Sequence, residues 1–184
     1  MLEIEGLVDD CTKNEVLAKA VENAQNGDIF VEVGSYLGGS AAFIGQKAVA
    51  LNKKITLFCI DNWKCDNISA AEKARLGHAN YYAAFLENVR RVGAAHLITP
   101  LRLDSMVASQ KFEDNSIAFL FLDGDHSIPY IEQELEAWLP KVKAGGMIAG
   151  HDYSDVTVGK NAREFFGNKI KSTSDGSSYF CIKE

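Results

Sequence analysis

Asp28-Ile-Phe-Val-Glu-Val-Gly-Ser-Tyr-Leu-Gly-Gly-Ser40 is the stretch that decides the fold. Asp28 to Val33 is mostly apolar and reads as a short strand. It runs straight into a glycine-rich turn, and Ser40 to Leu51 is helical in composition. Strand, tight turn and helix in immediate succession make the opening of a βαβ unit.

The pattern continues on both sides. Upstream, Thr12-Lys-Asn-Glu15 reads as a capping box for a helix whose apolar face is Leu17, Ala20, Val21 and Ala24. Asn26-Gly27-Asp28 stops that helix. Downstream, Lys54 to Ile60 is a second strand ending at Asp61, and one long helix is expected from Ser69 to Val92, with Leu76, Ala79, Ala83 and Leu86 on one face. His96 to Thr99 is a third strand, followed by Asp104 and a short helix from Ser105 to Phe112. Ile117-Ala-Phe-Leu-Phe-Leu122 is the most apolar run, as a strand covered on both faces should be. A helical stripe of Ile131, Leu135, Trp138, Leu139 and Val142 precedes a fifth strand, Gly145 to Gly150, which ends at His151-Asp152. A last short helix spans Asn161 to Phe166, and strands near Lys169–Ser172 and Ser178–Ile182 flank a turn at Asp175-Gly176. Alternating strands and helices predict an α/β protein with a largely parallel, doubly wound sheet, and the terminal hairpin predicts an antiparallel edge.

With 184 residues and no Pro/Gly/Ser-rich linker, the chain is expected to form one domain over 1–184, opened by an N-terminal helical segment at 1–26. Its 47% hydrophobic and 24% charged residues fit a soluble globular protein, and the net charge of −6 argues against nucleic acid or an anionic membrane as partner. No apolar stretch approaches the roughly 20 residues of a spanning helix. The acidic MLEIEGLVDD start lacks the features of a signal peptide, so the expected location is cytoplasmic. Cys11, Cys59, Cys65 and Cys181 show no metal-like spacing and read as structural thiols of a reducing compartment.

Polar residues recur just beyond the carboxyl ends of the strands: Glu32 to Ser40, Asp61, Asp104, Asp123 to His126, and His151-Asp152. In an open α/β sheet that edge holds the ligand crevice. The loop Gly34-Ser35-Tyr36-Leu37-Gly38-Gly39-Ser40 fails the dinucleotide pattern G-x-G-x-x-G, because Tyr36 stands at the second glycine. Glu32 beside it would repel phosphates and could accept hydrogen bonds from an ammonium group. The pair favours an amino-acid-bearing cationic ligand over NAD. Asp61 could take a ribose diol, or cap a helix; Trp63 could stack on an adenine, or pack. Asp104-Ser105 could hold an adenine amino group, or cap a helix.

The runs Glu-x-Gly-x-x-x-Gly-x-Ser at 32–40, Asp61-Asn-Trp63, Phe121-Leu-Asp123-Gly-Asp-His126-Ser and Gly145-Gly-Met-Ile-Ala-Gly-His151-Asp152-Tyr153 resemble those of class I S-adenosylmethionine-dependent methyltransferases. The likeness is strongest to small-molecule enzymes such as macrocin-type sugar O-methyltransferases and cephalosporin-biosynthesis methyltransferase-like proteins. It implies a Rossmann-like sheet in the order 3-2-1-4-5-7-6 with strand 7 antiparallel. It also implies a donor site at Glu32, Gly34, Ser35, Tyr36, Gly38, Ser40, Asp61, Trp63, Asp104, Ser105 and Asp123.

Catechol-type members hold a divalent cation, Mg or Mn among others, with an aspartate ending strand 4 and an Asp-Asn pair ending strand 5. The resemblance puts Asp123, His151 and Asp152 at those positions, with His-Asp in place of Asp-Asn. Imidazole with carboxylates suits several divalent metals. Where those enzymes carry a catalytic lysine this chain has His126, which could take a proton from a hydroxyl as general base, ligate the metal or cap the turn, with Asp125 behind it. His78 and His96 are expected to be structural. The reading is methyl transfer to a small hydroxylated acceptor, with a homodimer as one way to complete the acceptor pocket. Its rivals are an NAD-dependent oxidoreductase, which the broken glycine pattern opposes, and a non-catalytic nucleoside-binding protein on the same fold.

Overall fold

A computed structural model of the chain describes residues 8–65, 71, 73, 74, 77, 80–127 and 129–184. Seven strands form one sheet in the order β3-β2-β1-β4-β5-β7-β6. They are β1 (Ile29–Val33), β2 (Thr56–Asp61), β3 (Ile98–Arg102), β4 (Ile117–Leu122), β5 (Val142–Gly150), β6 (Lys171–Ser172) and β7 (Tyr179–Ile182). The first five pair in parallel, and β7 runs antiparallel between β5 and β6. The order is the one the family resemblance implies, and the antiparallel edge is the one the terminal hairpin predicts.

Period-2 alternation along the strands divides the core into two layers. Phe30, Leu57, Cys59, Phe119 and Phe121 face one side, packing with the helical segment Thr12–Leu17, α1 (Ala18–Asn23), α2 (Gly39–Ala50) and α3 (Tyr81–Arg91). Val31, Val33, Ile60, Leu120, Leu122 and Ile148 face the other, under α4 (Ser105–Ser109), α5 (Tyr130–Trp138) and α6 (Val156–Phe166). Among the described residues no helix is long and apolar enough to cross a membrane. Cys11, Cys59, Cys65 and Cys181 form no disulfide among the described residues.

Two local expectations change. The first helix is capped one turn earlier than Thr12: Asp9 Oδ1 accepts from the Thr12 amide at 2.7 Å, and Glu15 instead accepts from the Ser174 amide at 3.0 Å. Thr12 itself is buried, with its hydroxyl 2.7 Å from that of Ser178. The expected helix over 69–92 is not continuous. Asn80 is extended (φ −148°, ψ 101°), and its side chain accepts from the Ala83 amide to start α3 afresh. Leu76, Ala79 and His78 lie outside the described residues. His96 sits in the short turn Ala95–Leu97 that enters β3, away from the carboxyl edge of the sheet.

Candidate active site

The carboxyl ends of β1 to β5 open into one cleft of about 680 Å³. Its walls are the Gly34–Ser40 loop, Asp61, the Asp104-Ser105 turn, Asp123 to His126, and His151-Asp152, so four of the five predicted strand-end clusters enter it complete. Tyr130, Glu134 and Val8 join them.

The loop is bent by two strained requirements. Gly34 has φ +86°, and a Cβ there would lie 1.9 Å from the Asp123 carbonyl oxygen. Only glycine lets β1 turn this close to the end of β4. Tyr36, at the position where a dinucleotide loop needs its second glycine, also has positive φ (44°), and Gly38 (φ 84°) starts α2.

Glu32 is not in the cleft wall. Strand parity puts it on the Phe30 face, beneath α2, and it is fully buried. There it accepts from Ser35 Oγ at 2.7 Å and from Ser40 Oγ, so it braces the loop from below instead of meeting a ligand ammonium. Burial pushes its carboxyl up to about 7, against the two serine hydrogen bonds. Ser35 and Ser40 line the cleft, and the hydroxyls of both donate to Glu32.

Asp61 lies at the β2 exit, where burial raises its carboxyl while the amides of Trp63 and Tyr36 oppose that. Oδ2 accepts from the Tyr36 amide at 2.8 Å and Oδ1 from the Trp63 amide at 2.6 Å. The carboxylate thus ties the glycine loop to β2 while still facing the cleft. Trp63 does not line the cleft. It is 3% exposed, donates Nε1–H to the Tyr36 carbonyl at 2.7 Å, and packs on Tyr82 and Phe85 at 4.8 and 5.0 Å. The stacking expectation gives way to packing. Asp104 is a helix cap: Oδ1 accepts from the Met106 amide at 2.9 Å, and Oδ2 accepts from the Tyr130 hydroxyl at 2.9 Å.

At the β4 and β5 exits, one oxygen or nitrogen each of Asp123, His126 and Asp152 lie within 4.8 Å of one another, a group able to hold a metal ion. His126 Nε2 is 3.4 Å from Asp152 Oδ2. His151 is placed differently from expectation. Its Nε2 meets Asp9 Oδ2 at 2.9 Å, and its Nδ1 lies 3.3 Å from Asp152 Oδ2 and 3.6 Å from Asp123 Oδ1. Burial disfavours its charge, but hydrogen bonds to Asp123, Asp152 and Asp9 overcome that and hold it up to about 11. The atoms that come together are those of Asp123, His126 and Asp152, so His126 stands in this group where His151 was expected. Asp152 is correspondingly lowered by His151, against burial. Asp125 is exposed and accepts from the Ser127 amide at 2.8 Å.

Two site residues escape a reading of strand ends. Asp9, from the segment before the first helix, reaches His151 only through tertiary folding. Glu134 had a signal in the sequence: it is a charged residue on the buried side of a helix, between Ile131, Leu135 and Trp138. It is 4% exposed, and burial pushes its carboxyl up to about 7.

Residues 31–153 match the methyltransferase-domain family, and the chain belongs to it. An uncharacterized protein of Acanthamoeba polyphaga mimivirus is 28% identical over 127 residues, 68% of this chain and 52% of that protein. An uncharacterized protein of Sinorhizobium fredii is 26% identical over 122 residues, 66% of this chain and 13% of that protein. The chain therefore spans about half of one curated relative and a small part of the other. Among solved structures, a putative caffeoyl-CoA O-methyltransferase from Staphylococcus aureus superposes with a TM-score of 0.68 at 13% identity, covering 99% of this chain and 87% of that one. A putative O-methyltransferase from Klebsiella pneumoniae gives 0.67 at 15% identity, covering 98% and 84%. At such identities the superpositions establish the class I methyltransferase fold.

Proposed function

We propose that the protein transfers a methyl group from S-adenosylmethionine to a hydroxyl of a small molecule. The observation that carries this reading is the division of one cleft into two ends. A glycine loop and Asp61 form one end, and Asp123, His126 and Asp152 form the other, with the Gly34–Asp123 backbone contact joining them. The loop and Asp61 would hold the amino-acid and ribose parts of the donor, directing its methyl toward the β4 and β5 exits. Positioning of two reactants in line supplies much of the rate in such a transfer. Several structural neighbours bear O-methyltransferase names, while another, from Streptococcus thermophilus, is named an rRNA methylase. The net charge of −6 favours the small acceptor over RNA. Tyr36 in place of a glycine disfavours NAD.

His126 stands at the open, acceptor side of the cluster and takes the hydroxyl proton. Asp152, 3.4 Å from its Nε2, orients the ring and stabilises the imidazolium that forms. The same donor set fits a divalent cation, which Asp123, His126 and Asp152 would hold and which would lower the pKa of a bound hydroxyl. These two uses of His126 compete for the one lone pair of the neutral imidazole, and chelation separates them. Methyl transfer from labelled S-adenosylmethionine should be screened over neutral hydroxylated acceptors, with EDTA and with Mg or Mn. A methylated hydroxyl is expected; full activity in EDTA assigns His126 as base alone, and metal-dependent activity assigns the cation. Methylation confined to RNA, or hydride transfer with NAD, would contradict the proposal. Four cysteines outside disulfides fit action in the cytoplasm.

A further inference from the structure

Glu134 carries a buried carboxylate oxygen with nothing to bond. Its Oε1 has no hydrogen-bond partner, although the residue is 4% exposed and belongs to the cleft wall. The rest of its surroundings is well ordered by hydrogen bonds. Trp138 Nε1 donates to Ser105 Oγ at 2.9 Å, and the Ser105 hydroxyl in turn bonds the Glu134 carboxylate. The side chain is thus held from the α4 side. From the other side it meets the backbone of Gly124, where a Cβ would come within 3.2 Å of Oε1. Buried polar atoms are nearly always paired, and an orphan in a cleft wall marks a missing partner.

For the ionised carboxylate that partner must be an N–H or O–H donor. Glu134 lies between the β3 exit, at Asp104-Ser105, and the β4 exit, at Gly124. On the reading above, the donor's ribose sits at Asp61 and its methyl points to Asp123, His126 and Asp152. The purine base then lies along the Asp104–Ser105 wall. Asp104 has both carboxylate oxygens engaged, one by the Met106 amide and one by the Tyr130 hydroxyl. Glu134 is the acceptor left over in that wall.

We propose that Glu134 reads the amino group of the donor's adenine, the role that its position at a strand end would have given Asp104. This rests on the methyl-donor reading and specifies which residue recognises the base. Adenine offers an exocyclic N–H to a carboxylate, whereas hypoxanthine puts an acceptor oxygen there, and two acceptors repel. A site built to hydrogen-bond a group rejects the analogue lacking it.

The test is calorimetric binding of S-adenosylhomocysteine and of its 6-oxo analogue, S-inosylhomocysteine, at pH 8.5. Wild-type protein should prefer the adenosyl compound by about tenfold or more. Glu134→Gln keeps the size of the side chain and can donate from its amide to the 6-oxo group, so the preference should shrink toward unity or invert. Equal affinity of wild type for the two compounds overturns the inference without any variant. A preference that survives unchanged in a folded Glu134→Gln protein also overturns it, while leaving the methyl-donor reading intact. Failure of wild type to bind either compound overturns that reading, and the inference with it.

Discussion

Replacing Gly34 by alanine should break the site at its hinge. Two separable penalties apply. The backbone is at φ +86°, which L residues other than glycine adopt at about 1–2 kcal/mol. The added Cβ would also lie 1.9 Å from the Asp123 carbonyl oxygen and 2.4 Å from its carbon. Those atoms belong to the backbone at the end of β4, hydrogen-bonded to β1 through the Asp123 amide and the Val33 carbonyl at 2.9 Å, so no side-chain rotation relieves the clash. Overpacking of this kind adds about 1–3 kcal/mol. The sum is about 2–5 kcal/mol, and in a chain of this size each kcal/mol lowers Tm by about 2–4 °C. Gly27→Ala is the matched control: its φ is +93° and nothing lies within 4 Å of a Cβ, so only the conformational penalty applies. Denaturant unfolding of both variants, beside S-adenosylhomocysteine titration, reads the difference. Gly34→Ala should be the less stable and should lose the ligand, whereas Gly27→Ala should keep it. Equal stability of the two variants, or full ligand affinity in Gly34→Ala, would refute the claim that the β1–β4 approach shapes the site.

Glu32→Gln tests the buried brace. A carboxyl raised from 4.5 to about 7 by folding leaves stability intact below its unfolded pKa and erodes it as pH rises through that window. The stability gained by the Gln variant over wild type should therefore grow by up to about 3 kcal/mol between pH 4.5 and pH 8; a gap independent of pH would mean that Glu32 does not titrate as its burial requires. His126→Gln keeps bulk and hydrogen bonding but cannot take a proton, so kcat should fall by about 10²–10⁴ with donor affinity nearly unchanged. An unaltered kcat and pH profile would remove His126 from proton transfer.

The sheet was legible because its strands alternate with helices and because the β4 run from Ile117 to Leu122 is wholly apolar. Asp61, Asp123 and His126 were legible because they stand at or just past strand exits, where the crevice of such a sheet opens. Glu32 was not, because it lies inside β1, where parity and not proximity to the loop decides its direction: it shares the Phe30 face and goes under α2. Trp63 was misjudged for a related reason. Two residues past the strand, a positive φ (51°) turns its ring back under the loop. The long 69–92 helix failed because Asn80 offered a cap in the midst of an amphipathic pattern. Helical periodicity does not register such a break. Asp9 and the charge state of His151 depend on a contact between residues 142 positions apart, beyond any local pattern.

The central claim is that the cleft is a methyl-donor site, and titration of S-adenosylhomocysteine into the wild-type chain tests it most directly. One molecule per chain should bind, with Asp61→Ala weaker by about 1–3 kcal/mol from the loss of its cleft-facing carboxylate. NAD should show no comparable binding. Binding of NAD with no binding of S-adenosylhomocysteine by the folded protein would contradict the account.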